Sequence, residues 1–286
     1  MPVRPFLLAL AIALCIALPA SAGELKGTLE QIHDSKMIRL GHLETAVPFS
    51  FVDQGVPQGY SVELCKRVVA GLQQQLGLDT LNIAWVPVDQ GNRLGMVESG
   101  KVDLECGTTS NTLSRQEQVD FSLPIWVDGG SFAVKTDSTI NGPADLAGKK
   151  VAVLAGTTTE SALKTALANS YVNAELIPVK EHVQGLEMVY QNQADAYAAD
   201  HTVLIGLALA VRQSMKLRLS QAMFSYEPYG LVMRKDDGDF RRGVNRVLAG
   251  LYRGGQIKEV YQRWFGKIGE PSPLLAAMFM LNSLPE

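Results

Sequence analysis

Short apolar runs alternate along almost the whole chain with segments whose apolar positions recur every three or four residues. The short runs have the length of strands, and the periodic segments carry one apolar stripe each, as helices do. Residues 37–43 read as a strand. Residues 60–76 read as a helix with Val62, Cys65, Val69, Leu72 and Leu76 on one face and Gly77 as its stop. A strand over 81–88, a short helix over 92–99 and a buried strand over 102–106 complete a β-α-β-α-β unit, the pattern of an α/β sheet.

A second unit follows the polar stretch Asp137-Ser138-Thr139-Ile140-Asn141-Gly142-Pro143. It reads as strand 150–154, helix 159–168, strand 174–179, helix 183–191 and strand 194–199. The order of elements repeats the first unit without repeating its sequence. The chain then turns back, with a strand over 230–235 and two helices. Phe240, Val244, Val247, Leu248 and Leu251 line one, and Ile257, Val260, Tyr261 and Trp264 line the other. The expected organisation is two α/β lobes, residues 23–132 with 231–286 forming the first and 133–230 the second. Crossings near 131–135 and 226–231 would form a hinge, leaving a cleft that the strand ends face.

The N-terminus adds a compartment. Arg4 precedes an apolar run over 6–18 that is too short to span a bilayer, and Ala20-Ser21-Ala22 reads as a cleavage site before Gly23. Residues 1–22 are therefore expected to be a signal peptide, and the protein to be periplasmic. The segment 274–284 contains Asn282 and reads as a packed tail. A net charge of −3 shows no basic face for nucleic acid. Of the three cysteines, Cys15 leaves with the leader. In an oxidising compartment Cys65 and Cys106 are compatible either with a disulfide or with two free, buried thiols.

Common catalytic signatures are missing: there is no GxxxxGK loop, HExxH, CxxC or GxSxG, and the four histidines lack metal-ligand spacing. The reading expects no cofactor, no metal and no enzyme. Three loops follow expected strands instead: Gly107-Thr108-Thr109-Ser110-Asn111, Gly156-Thr157-Thr158-Thr159-Glu160 and Ala198-Ala199-Asp200. Hydroxyls and backbone N–H groups of the first two suit a carboxylate, above all where the second opens a helix. Arg115 can add a bidentate clamp, and Asp200 can receive an ammonium group. An anion site facing a cation site is what an amino-acid zwitterion requires. Singly, each residue has a plainer role: Arg115 a solvated face, Asp200 and the threonines helix caps and turns, His182 a structural histidine.

The chain resembles the periplasmic amino-acid-binding proteins of ABC importers, solute-binding protein family 3, and specifically their glutamate/aspartate-binding branch. The matching stretches are Gly41-His42-x-Glu44-x-x-Val47-Pro48-Phe49-Ser50, Asn92-Arg93, Glu105-Cys106-Gly107-Thr108-Thr109-Ser110-Asn111, Arg115-Gln116, Gly156-Thr157-Thr158, His182 and Arg234-Lys235-Asp236-Asp237, in order along the chain. The resemblance implies the type II periplasmic binding protein fold, a monomer that closes on an amino acid, and delivery to the permease subunits of an ABC transporter. It implies that Arg115, Thr108, Thr109 and Ser110 hold the ligand α-carboxylate with Thr157 and Thr158 from the other lobe. Asp200 would take the ammonium, Arg93 and His182 the side-chain carboxylate, and Phe49 and Phe51 would supply apolar wall. One departure stands out: Leu43 occupies a pocket position where that branch has arginine, which opens the ligand range to glutamine or asparagine. Two rivals use the same fold. A cyclohexadienyl dehydratase would need a general acid, with Glu160 or Glu44 as candidates; a periplasmic sensor would need a membrane receptor.

Overall fold

The computed structural model describes residues 25–210 and 216–286; the expected signal peptide lies outside them. Two five-stranded sheets organise the chain. The first runs Asn82–Pro87, Met37–His42, Leu104–Glu105, Val232–Arg234, Val119–Phe121. Its first three strands are parallel, and the returning strand Val232–Arg234 is antiparallel to both its neighbours. The second runs Glu175–Val179, Lys150–Leu154, Ala196–Asp200, Gly130–Lys135, Leu217–Leu219. It too has three parallel strands followed by an antiparallel one. The matching order makes two α/β lobes, each with its strand ends toward the other.

Central strands are apolar on both faces because helices cover both sides of a parallel sheet. Ala196 to Ala199 are all buried, as are Val151 to Leu154. Helix Tyr60–Gln75 buries Val62, Cys65, Val69 and Leu72, and also Leu64 and Val68, a face wider than one stripe. Gly77 follows the helix end with φ 62°, where the left-handed region favours glycine. Cys65 and Cys106 are disulfide-bonded, which ties this helix to the strand end that leads into the loop over 107–111.

The second crossing, expected near 226–231, contains a ribbon strand, while the first differs from the sequence expectation. Strand Trp126–Asp128 pairs antiparallel with Glu227–Tyr229 in a two-stranded ribbon. Residues Gly130–Lys135, expected to hold the first crossing, instead form a strand that is buried over its first five residues and pairs with Ala196–Asp200. The first lobe therefore ends before Gly130, and the boundary expected between 132 and 133 falls inside a strand of the second sheet. The C-terminal tail forms helix Pro273–Leu281, burying Leu275, Met278 and Phe279. Among the described residues no helix is long and apolar enough to cross a membrane.

Candidate functional site

Helix starts and strand ends from both lobes converge on the ribbon. Strand Leu104–Glu105 passes into the loop that carries Thr108, Thr109 and Ser110, all buried. Backbone bonds dock this loop on the ribbon: Asn111 donates to the Pro228 carbonyl at 2.7 Å and Gly230 donates to that of Thr109 at 3.1 Å. Helix Leu113–Gln116 follows, capped by Thr112, and turns the Arg115 side chain back so that Nη1 donates to the Ser110 carbonyl at 2.9 Å. Burial, and then the nearby Arg93, bring the Arg115 guanidinium down to about 10.

Arg93 opens helix Arg93–Glu98 and is 2% exposed, yet its Nε and Nη1 have no hydrogen-bond partner. Burial lowers its pKa, and Glu105, Asp200 and Tyr229 oppose that shift. Glu105 is buried in the strand, where Oε2 accepts from Thr109 at 2.9 Å while Oε1 has no partner. Burial raises the Glu105 carboxyl, with Arg93 the main influence in the other direction.

From the second lobe, Thr157 caps helix Thr158–Asn169 by accepting from the Glu160 N–H at 3.1 Å. The N–H groups of that first turn have no carbonyl of their own helix to bond, and the helix dipole adds positive potential there. Asp200 ends strand Ala196–Asp200 and accepts from the hydroxyls of Thr159 and Tyr229. Burial, and then Glu227, push its carboxyl up to about 6 against those two bonds. Asp128 on the ribbon is pushed up to about 8 by burial and by Asp200. His182 opens helix His182–Tyr190 with Nδ1 2.6 Å from the Tyr197 hydroxyl. Burial, and then Arg93, take it down to about 4, so its ring is neutral at pH 7. A neutral ring that accepts at Nδ1 carries its proton on Nε2 and presents a donor there.

Arg93, Thr108, Thr157, Thr158, His182 and Asp200 line one cavity of about 20 Å³, together with Gln90 and Thr159. That is room for about one water molecule. Gln90, Leu154 and His182 also line an adjoining cavity of about 60 Å³, which reaches Leu43, Val88 and Lys180. A wider groove of about 570 Å³, between Tyr252, Tyr261 and Phe279, shares none of these residues.

Thr109, Ser110 and Arg115 sit behind the smaller cavity and not in its wall. Phe49 is fully buried, edge-on to Tyr229 at 5.3 Å and packed with Tyr60, Trp126 and Phe265. It supports the ring whose hydroxyl holds Asp200 and borders neither cavity. Phe51 packs edge-on against Trp264. Glu160 accepts from the Gly156 N–H at 2.9 Å and from Lys164 at 2.6 Å, and Lys164 holds its carboxyl below the usual range. Asp128, Glu227, Tyr229 and Gln90 were not singled out from the sequence, and Glu105 was named only within a family stretch, without a role. An acid inside a buried strand, as Glu105 is, was the one visible signal among them.

The model of the bacterial extracellular solute-binding proteins, family 3, matches residues 38–267. The L-glutamate/L-aspartate-binding protein of Pseudomonas aeruginosa is 34% identical over 268 residues, covering 93% of this chain and 89% of its own. The glutamate/aspartate import solute-binding protein of Escherichia coli is 30% identical over 261 residues, covering 91% of this chain and 86% of its own. Among solved structures, an ancestral amino acid-binding protein, a precursor of cyclohexadienyl dehydratase, superposes with a TM-score of 0.74 at 27% identity. It covers 84% of this chain and 100% of its own.

Proposed function

Because the chain belongs to family 3 of the bacterial extracellular solute-binding proteins, we propose that it captures a polar or acidic amino acid and delivers it to the membrane permease of an ABC importer. The observation that carries this reading is Arg93. A charged donor group that is 2% exposed with two unpartnered nitrogens is costly to maintain, by roughly 1–3 kcal/mol or more for each unsatisfied group. An anionic ligand oxygen in the cavity that Arg93 lines satisfies it.

The other groups complete a zwitterion site. Asp200 keeps lone pairs free beyond its bonds to Thr159 and Tyr229, and an ammonium group can use them. The first turn of helix Thr158–Asn169 offers the anion side, and neutral His182 beside Arg93 suits a side-chain carboxylate or amide oxygen. Relatives named for glutamate and aspartate support an acidic ligand, while Leu43 in the adjoining cavity supplies no charge and leaves room for glutamine or asparagine. A periplasmic location behind a leader ending at Ala22 and a monomeric state belong to the same reading.

It also holds that the chain is a binder and not an enzyme. A dehydratase would need a protonated carboxyl at the reacting group. Glu160 is held ionised by Lys164, and Glu44 is exposed.

Calorimetric titration with glutamate, aspartate, glutamine and asparagine tests the proposal. Binding of at least one is expected, and Arg93→Ala should weaken acidic ligands roughly tenfold or more. Unchanged affinity in Arg93→Ala, or turnover of prephenate, overturns it.

A further inference from the structure

Glu227 lies on the ribbon and is 2% exposed, and its carboxylate collects hydroxyls from three parts of the molecule. Oε2 accepts from Ser110 of the first lobe at 2.6 Å and from Thr158 of the second lobe at 2.5 Å. Oε1 accepts from Ser225, two residues earlier, at 2.8 Å. The two hydroxyls that share Oε2 are themselves 3.2 Å apart. A buried carboxylate needs such donors, and bonds to an ionised acceptor are the stronger kind.

These bonds are not equivalent when the lobes move. The loop around Ser110 is fixed to the ribbon by backbone bonds, through Asn111 to Pro228, Gly230 to Thr109 and the bridge between Ser110 and Tyr229. Ser225 lies two residues before Glu227 on the crossing itself, where its Oγ also accepts from the Gly130 N–H at 2.9 Å. Both contacts therefore travel with the ribbon. Thr158 starts a helix of the second lobe and donates to Glu227 from outside the two crossing segments. Parting the lobes breaks that bond and leaves the others.

We propose that Glu227 is a positioning residue that latches the closed state by holding the Thr158 hydroxyl against the hinge-bound Ser110. The Ser110 and Thr158 hydroxyls, which the sequence reading assigns to the ligand carboxylate, are committed to Glu227. Those two residues then meet a ligand through backbone N–H groups. A bond made only in the closed form raises the closed population before any ligand arrives, and apparent affinity rises with that fraction.

The latch rests on the amino-acid-binding reading only for its affinity arm. The test uses Thr158→Val, Thr158→Ser, Glu227→Gln and the Thr158→Val/Glu227→Gln double variant. Distance distributions between spin labels, one on each lobe, are recorded without ligand, and glutamate kinetics are followed by stopped flow. Thr158→Val should shift the ligand-free distribution toward open and weaken glutamate about tenfold, mainly through faster dissociation. Thr158→Ser should restore both. Glu227→Gln should move both readouts the same way, and the double variant should lose little more than the worse single one. A ligand-free distribution unchanged in Thr158→Val, or losses that add in the double variant, overturns the latch. Should Glu227→Gln not fold, the Thr158 pair decides by itself. Should the wild type bind no amino acid, the functional reading fails while the ligand-free distances still judge the latch.

Discussion

Asp200 shows how one residue couples fold and ligand. Its carboxyl titrates near 6 in the folded chain against an ordinary value of 3.8. Between those values the folded state keeps a proton that the unfolded state has released. The ligand-free fold therefore loses stability from this group as pH rises through that window, and has the contribution in full below it. An ammonium ligand needs the ionised form, so the sign for binding is opposite. Affinity should fall as pH drops below about 6, approaching tenfold per unit. Calorimetry across that midpoint checks this, and Asp200→Asn should flatten the profile as well as weaken binding. Asp200 was legible as a polar group at the end of an apolar strand, whereas Arg93 and His182 came from the family resemblance and not from their place in an element. Glu227 was not legible, because its partners Ser110 and Thr158 are 117 and 69 positions away. Phe49 was legible as apolar but not as core, since a cleft wall and an aromatic cluster beneath the cleft use the same residue type.

Among elements, those with a full period were readable and the short ones were not. The stripe through Val62, Cys65, Val69 and Leu72 located helix Tyr60–Gln75 to within a residue at its C-terminus. Ribbon strand Trp126–Asp128 has three residues, too few to show alternation, and the buried run beside it at Gly130–Lys135 drew the first crossing a few residues too far along the chain. Helix Pro273–Leu281 is apolar on every face, so no periodicity marks it. The pairing of Cys65 with Cys106 lay open in the sequence because spacing alone does not bring a helix face against a strand end. The bond spans 41 positions, and chain entropy for such a loop corresponds to about 4 kcal/mol. Replacing both cysteines by serine should lower unfolding free energy by roughly that amount or somewhat less, read from denaturant midpoints with the slope unchanged. Binding should weaken too, because Cys106 leads directly into the loop bearing Thr108 and Ser110. Stability equal to wild type would show that the cross-link restrains little in the unfolded chain.

For the whole molecule, the walls of the cleft impose an order of events. The cavities at the site, about 20 and 60 Å³, are walled by residues of both lobes, so a ligand held there enters when the lobes part and is retained when they close. The two-lobe plan was legible from the rhyme of two β-α-β-α-β units, but the closed geometry depends on contacts between residues far apart in sequence. One such contact lies at the exposed mouth, where the Thr45 hydroxyl of the first lobe donates to Glu181 of the second at 3.0 Å. Cysteines at both positions leave Cys65 and Cys106 engaged with each other, so among the described residues a short thiol-reactive bridge has only the new pair to join. Bridging before ligand is added should abolish uptake, because the site is walled by both lobes. Bridging after saturation should retain ligand through dialysis, and a reducible bridge should release it on reduction. Uptake by the protein bridged first would mean that ligand reaches the site without separation of the lobes.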